Sequence, residues 1–224
     1  MKTSQTLISY VEQCALITLE KQDKLELLIG DSLHELDLDA GKLRFNDFDF
    51  PLQVLGTESD NTLTWLWAWA DEQTEIPAHL MRSAQQLKTW GADHGVPEFT
   101  VPSVDVNSAD GMEIGLVAAD VCSASCFFAD HYEGGAAYFL LFDRRIDDGP
   151  SFDRQHLITR MADLFSQYDL NQRSVLESYL RNKGLRSETD RNMISTELEN
   201  GERLVAEFDD TNRLVMVNNA AFEI

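Results

Sequence analysis

The sequence predicts an α+β fold: a mainly antiparallel sheet with a central tryptophan-rich strand, helices packed on it, and a C-terminal helical pair with hairpins. Three observations predict it. Short runs of alternating apolar residues are divided by turn signals such as Asp39-Ala40-Gly41. Apolar residues recur at helical spacing in several separate segments. The stretch Thr64-Trp65-Leu66-Trp67-Ala68-Trp69-Ala70 is apolar on both faces of a strand, as suits an interior position in a sheet.

The first helix is expected from about Thr3 to Lys21, with Leu7, Val11, Cys14, Ala15 and Thr18 on one face and Ile8, Leu16 and Leu19 widening it. Leu25, Leu27, Leu28 and Ile29 either continue it or start a strand, and Gly30-Asp31 breaks the chain. Residues 33–45 read as a hairpin in which Leu36, Leu38, Leu43 and Phe45 alternate with polar residues. Pro51 to Gly56 is a further short strand, and Asn61 to Ala70 is the strongest strand of the chain.

Ile76-Pro77 is expected to open a helix, because proline is tolerated where its missing N–H has no partner. Leu80, Ala84, Leu87 and Gly91 repeat within it, and Gly91 or Gly95 ends it. Phe99 to Val106, with Pro97 and Pro102, is at best an edge strand. Ser108 is expected to cap a helix over about 109–123 whose small residues (Gly111, Gly115, Ala118, Ala119) permit close approach to a neighbour. Phe127-Phe128 and Ala136 to Phe142 form a hairpin around the loop His131–Gly135.

After Asp147-Asp148-Gly149-Pro150 the texture changes. Ser151 is expected to cap one helix and Asn171 to begin another that ends at Gly184. Residues 192–217 read as two or three strands turning at Asn200-Gly201 and at Asp209–Asn212. The acidic-turn hairpins at 206–216 and 35–45 echo each other over too short a span to be a repeat. The chain is expected to be one domain, 1–224, with a sub-boundary at 147–150 separating a main lobe (1–146) from a C-terminal part (151–224).

Charge narrows the function classes. The 224 residues hold 18 Lys and Arg against 39 Asp and Glu, a formal net charge of −21. That balance opposes a phosphate backbone, so no nucleic-acid partner is expected. Residues 1–145 carry 9 basic and 24 acidic side chains, and no Lys or Arg falls between Lys88 and Arg144, where nine acids do. Such a pole keeps a protein soluble, and it also suits docking to a basic protein. Cys14, Cys122 and Cys126 form neither a disulfide framework nor a zinc pattern, so no cofactor or metal is expected. No signal-peptide core and no membrane-spanning window is evident, and a cytoplasmic location is expected.

The tryptophan strand is the most distinctive feature. Period two puts Trp65, Trp67 and Trp69 on one face, with Leu66, Ala68 and Ala70 on the other. Two readings stay open. The indoles form a core ridge, or part of them lines a cleft for a small apolar or aromatic ligand whose mouth lies at Asp71, Glu72 and Glu75. The strand, preceded by Leu55-Gly56 and followed by a helix with Pro77 near its start, resembles the signature of an uncharacterised bacterial domain-of-unknown-function family. The likeness covers about residues 43–95 and is weaker to 142. The family pattern ends the strand in Asn where this chain has Asp71, which removes an amide and adds a charge. The resemblance implies bacterial origin and no activity.

Asp130-His131-Tyr132-Glu133 brings acid, imidazole and phenol together before Gly134-Gly135, parts from which a general base could be built. The same residues also make an ordinary polar turn. Glu113 and Asp120 lie seven apart on one helical face. The nucleophile elbow, phosphate loop, dinucleotide fingerprint and zinc-protease motifs are missing. The expectation is a non-catalytic binding protein with an acidic docking face, or else a small-molecule-binding protein or enzyme with its site on the tryptophan face.

Overall fold

The computed structural model describes residues 3–218 and 220–222. It is an α+β protein whose elements divide by contact into two compact units. One holds Met1–Val11 with Lys21–Gly149, the other Glu12–Glu20 with Pro150–Ile224. Helix α1 (Gln5–Ile29) contributes to both. It runs on through Leu25–Ile29, so that segment is helix and not strand, and it stops at Gly30, where φ is 55°. The Ser4 hydroxyl caps it by accepting from the Leu7 N–H, and the Glu98 carboxylate accepts from both the Ser4 N–H and hydroxyl at 2.9 Å. A negative group there is also favoured by the helix dipole.

The first unit is built on a seven-stranded antiparallel sheet: β1 (His34–Asp37), β2 (Lys42–Phe45), β3 (Phe48–Ser59), β4 (Thr64–Trp67), β5 (Ser103–Asp105), β6 (Cys126–Tyr132) and β7 (Gly135–Leu141). The long β3 pairs with β2, β4 and β7 in turn, and β4 is interior between β3 and β5. Helices α2 (Arg82–His94) and α3 (Gly111–Val121) pack on this sheet. Phe45, Phe50, Leu55, Trp65, Trp67, Leu87, Phe99, Ile114 and Phe127 are among its buried core. The expected edge strand is present as β5, and the expected hairpins are present as β1–β2 and β6–β7.

The tryptophan strand is shorter than expected. It ends at Trp67, and Ala68–Ala70 form a 3-10 turn. The cause lies just before the neighbouring strand β5. The Trp67 N–H donates to the Pro102 carbonyl at 3.1 Å, but proline has no N–H to return the bond, so the ladder stops. Gly56 on β3 faces this strand so closely that a Cβ would meet the Leu66 carbonyl and the Trp65 ring. The Ile76-Pro77 segment gives a 3-10 turn at Ala78–Leu80 before α2 starts at Arg82, and Gly95 ends the helix.

Two expected caps are displaced. Asp110, not Ser108, caps α3, because Asp110 and Glu113 form a reciprocal capping box. Asp153, not Ser151, caps α5 (Arg154–Gln167), accepting from the His156 N–H. A one-turn helix, α4 (Arg144–Asp147), closes the first unit. The small residues of α3 act as expected: a Cβ on Gly115 would lie 2.7 Å from the Phe127 ring.

The second unit combines the 12–20 stretch of α1, helices α5 and α6 (Gln172–Asn182), and a five-stranded antiparallel meander. Its strands are β8 (Ser187–Asp190), β9 (Met193–Glu197), β10 (Arg203–Phe208), β11 (Leu214–Val217) and β12 (Ala220–Ala221). Of the two or three strands expected within 192–217, three are present, β9 to β11. β8 was not expected, and its fully exposed residues carry no apolar alternation to betray it. A buried ion-pair network ties the unit together. Glu20 is 1% exposed and accepts from the Tyr179 hydroxyl at 2.6 Å, the Phe152 N–H and the Lys183 ammonium. Lys183 also reaches Ser151 Oγ and Glu199.

Candidate functional site

Trp65 and Trp67 are both 0% exposed. Trp65 meets Tyr138 edge-on at 5.1 Å between ring centroids, and Trp67 meets Phe99 at 5.2 Å. The Trp67 indole N–H donates to the Glu98 carbonyl at 3.0 Å. These two indoles belong to the core of the sheet. Trp69 differs because the chain has left the strand. Its ring lies nearly parallel to Trp67, at 16° and 6.4 Å, and it is half-buried.

One side of Trp69 opens onto a groove of about 470 Å3. Trp69, Ala78 and Met81 give it an apolar floor, and Arg82, Gln85, Gln86 and Thr89 line it along one face of α2. That face follows from spacing: positions three, four and seven apart share a side of a helix. The Lys88 ammonium lies 3.7 Å from the centroid of the Trp69 ring, a cation–π contact. Among the described residues, neither Arg82 nor Lys88 has a carboxylate within ion-pair distance, and no carboxylate lines the groove. By contrast, Lys21, Lys42, Arg44 and Arg145 in the same unit are all paired with acids. Trp69 Nε1 is buried without a protein acceptor, as is Trp65 Nε1.

Asp71 is committed to a local turn. Its Oδ1 accepts from the Gln73 and Thr74 N–H groups at 2.9 and 3.1 Å. Hydrogen bonding, led by Thr74, holds its carboxyl below the ordinary range. An asparagine Oδ1 can accept the same two bonds, so the turn does not depend on the charge.

The structure separates the four residues of the polar segment. Asp130, His131 and Tyr132 end β6, and neighbours on a strand point to opposite faces. Asp130 pairs instead with His34 Nε2 at 2.9 Å, and His34 packs edge-on against Phe128. His131, Tyr132 and Glu133 are exposed, and Glu133-Gly134 makes the turn. The acid–imidazole pair therefore exists, with a histidine 96 positions away in sequence. No short-range signal marks it.

Glu113 and Asp120 are also parted. Glu113 is buried in the capping box, near Thr3, while Asp120 is exposed at the far end of α3. Burial, and then the adjacent Asp110 carboxylate, pushes Glu113 up to about 7. Cys122 and Cys126 fall on different elements, since α3 ends at Val121 and Cys126 is in β6. Burial pushes the Cys122 thiol up to about 11 and the Cys126 thiol higher still, which leaves little thiolate for metal or nucleophilic chemistry. Among the described residues, no three His, Cys, Asp or Glu side chains gather as metal ligands, and no helix is long and apolar enough to cross a membrane.

A family of unknown function, DUF6882, matches residues 8–144. The chain belongs to this family. The DUF6882 match runs from early in α1 to the start of α4, so it takes in the tryptophan strand, Trp69 and all of α2. It stops just short of Gly149, where the first compact unit ends, and it leaves α5, α6 and the meander outside. Neither the curated proteins nor the solved structures hold a match to this DUF6882 chain.

A second depression of similar volume lies in the second unit, between Phe165, Tyr168, Gln172, Asp209, Arg213 and Leu214. Two of its polar side chains are already engaged. Gln172 Oε1 accepts from the Leu214 N–H, and Asp209 Oδ1 accepts from the Thr211 and Arg213 N–H groups. The Trp69 groove combines a half-buried indole with the unpaired Arg82 guanidinium.

Proposed function

We propose that the protein is a non-catalytic binding protein whose recognition site is the Trp69 groove, with a small, flat, apolar or aromatic ligand. The observation that carries this reading is the departure of Trp69 from the core beside two cations that lack acidic partners. In a chain of charge −21, the groove is lined by Arg82 and by no carboxylate, with the Lys88 ammonium on the Trp69 ring beside it. An indole face with polar groups around it also matches the usual make-up of small-molecule sites.

Indole N–H resonances test the reading. With the small-molecule fraction of a bacterial lysate added to 15N-labelled protein, the Trp69 indole resonance, assigned through Trp69→Phe, shifts. The Trp65 and Trp67 resonances stay in place. Shifts confined to other residues, or none at all, would count against the site.

The acidic docking face is a second reading, supported by the composition of the first unit, which carries 9 basic and 24 acidic side chains. Its support is thinner across 93–143, because Glu98, Asp110 and Glu113 turn inward to cap helices. Neutralising the exposed Asp93, Asp105 and Glu133 together would abolish salt-sensitive capture of a basic partner on this reading. Unchanged capture would reject it. Cytoplasmic location fits either reading.

A further inference from the structure

We infer that the Trp69 groove selects a planar aromatic carboxylate, an inference that rests on the binding reading above and specifies its ligand. The Lys88 ammonium lies 3.7 Å from the Trp69 centroid and covers one face of the ring. A neutral aromatic compound that stacks there displaces the cation and gives it nothing in return. An aromatic anion takes the ring face and offers the displaced ammonium a charged partner, so both lost contacts are replaced.

Arg82 points to the same chemistry. It lies six residues before Lys88, about 9 Å along the helix axis, and it lines the groove with no acid paired to it. A guanidinium is shaped to hold a carboxylate through two parallel hydrogen bonds. Gln85 and Gln86 add amide donors on the same helical face, although Gln86 already donates to the Val121 carbonyl at 3.4 Å. The acids of the following loop, Asp71 and Glu72, line a different depression with Leu66, Ala70, Gln73 and Thr74. An anion in the groove meets Arg82 on the helix side and an indole below, with Lys88 at the ring.

Calorimetric titration of the full chain with 2-naphthoate and with its neutral counterpart, 2-naphthamide, tests this. The naphthoate is expected to bind at least tenfold more tightly. Arg82→Gln with Lys88→Gln, both at the surface, is expected to erase that preference and leave residual binding of both probes. Trp69→Leu is expected to weaken both probes. Equal or tighter binding of the amide would overturn the anion preference and leave the binding reading intact. Binding of naphthoate unaffected by the double variant would overturn the roles of the two cations. Binding of neither probe would also overturn the inference, and the binding reading would then rest on the indole resonances alone.

Discussion

At the residue scale, three tryptophans spaced by two have two different roles. Trp65 and Trp67 meet edge-on and fill core volume against Tyr138 and Phe99, and their loss leaves a cavity. Trp67→Ala is expected to cost about 3–5 kcal/mol in a urea denaturation series, the usual range for deleting a buried large aromatic side chain. Trp69→Leu, at a half-buried position that retains apolar area, is expected to cost less than about 1.5 kcal/mol. Equal costs at the two positions would contradict the division. Glu113 provides a second test. The folded protein holds its proton up to about pH 7, whereas the unfolded chain releases it near 4.5. Its contribution to stability is thus present below pH 4.5 and lost as the pH rises through 7. Glutamine keeps the cap but cannot ionise. Relative to the parent chain, Glu113→Gln is expected to gain about 1–2 kcal/mol across that window, allowing for partial solvent screening. A pH-independent difference would show that Glu113 does not carry the effect.

At the element scale, α3 depends on small residues because it lies directly against the sheet. Gly115→Ala places a methyl group against Phe127, and it is expected to destabilise by about 1–3 kcal/mol, read from the denaturation midpoint. A neutral result would mean that α3 can lift off the sheet at little cost. Elements whose cause is local were legible in the sequence: α1 from its periodicity, the β1–β2 and β6–β7 hairpins from their turns, α6 from Asn171, and the close-packed α3 from its glycines. Elements whose cause lies elsewhere in the chain were not. The tryptophan strand stops because Pro102, just before β5, cannot complete a ladder pair. β8 has no apolar alternation to reveal it. The caps moved because Asp110 and Asp153 each sit three residues before the N–H they accept from, a geometry that outcompetes the nearby serines.

At the scale of the whole molecule, the acid that dominates the composition is only partly a surface feature. Glu98, Asp110 and Glu113 satisfy helix N-termini, Glu20 anchors a buried tyrosine and lysine, and Asp130 holds His34. The charge balance was plain from the sequence, but the inward use of Glu20, Glu98 and Asp130 was not, because their partners are distant in the chain. The candidate site was half legible for the same reason. Trp69 stood out in sequence as one of three indoles, while Arg82 and Lys88 gain meaning only when α2 is laid beside it. The central claim is that Trp69, unlike its two neighbours on the strand, serves a ligand. Native mass spectrometry of the parent chain and Trp69→Leu, purified gently and in parallel from a bacterial host, tests it most directly. An added mass of a few hundred daltons is expected on the parent chain, absent from a Trp69→Leu protein with an unchanged charge-state distribution. The same added mass on both proteins, or a bare chain for both, would contradict it.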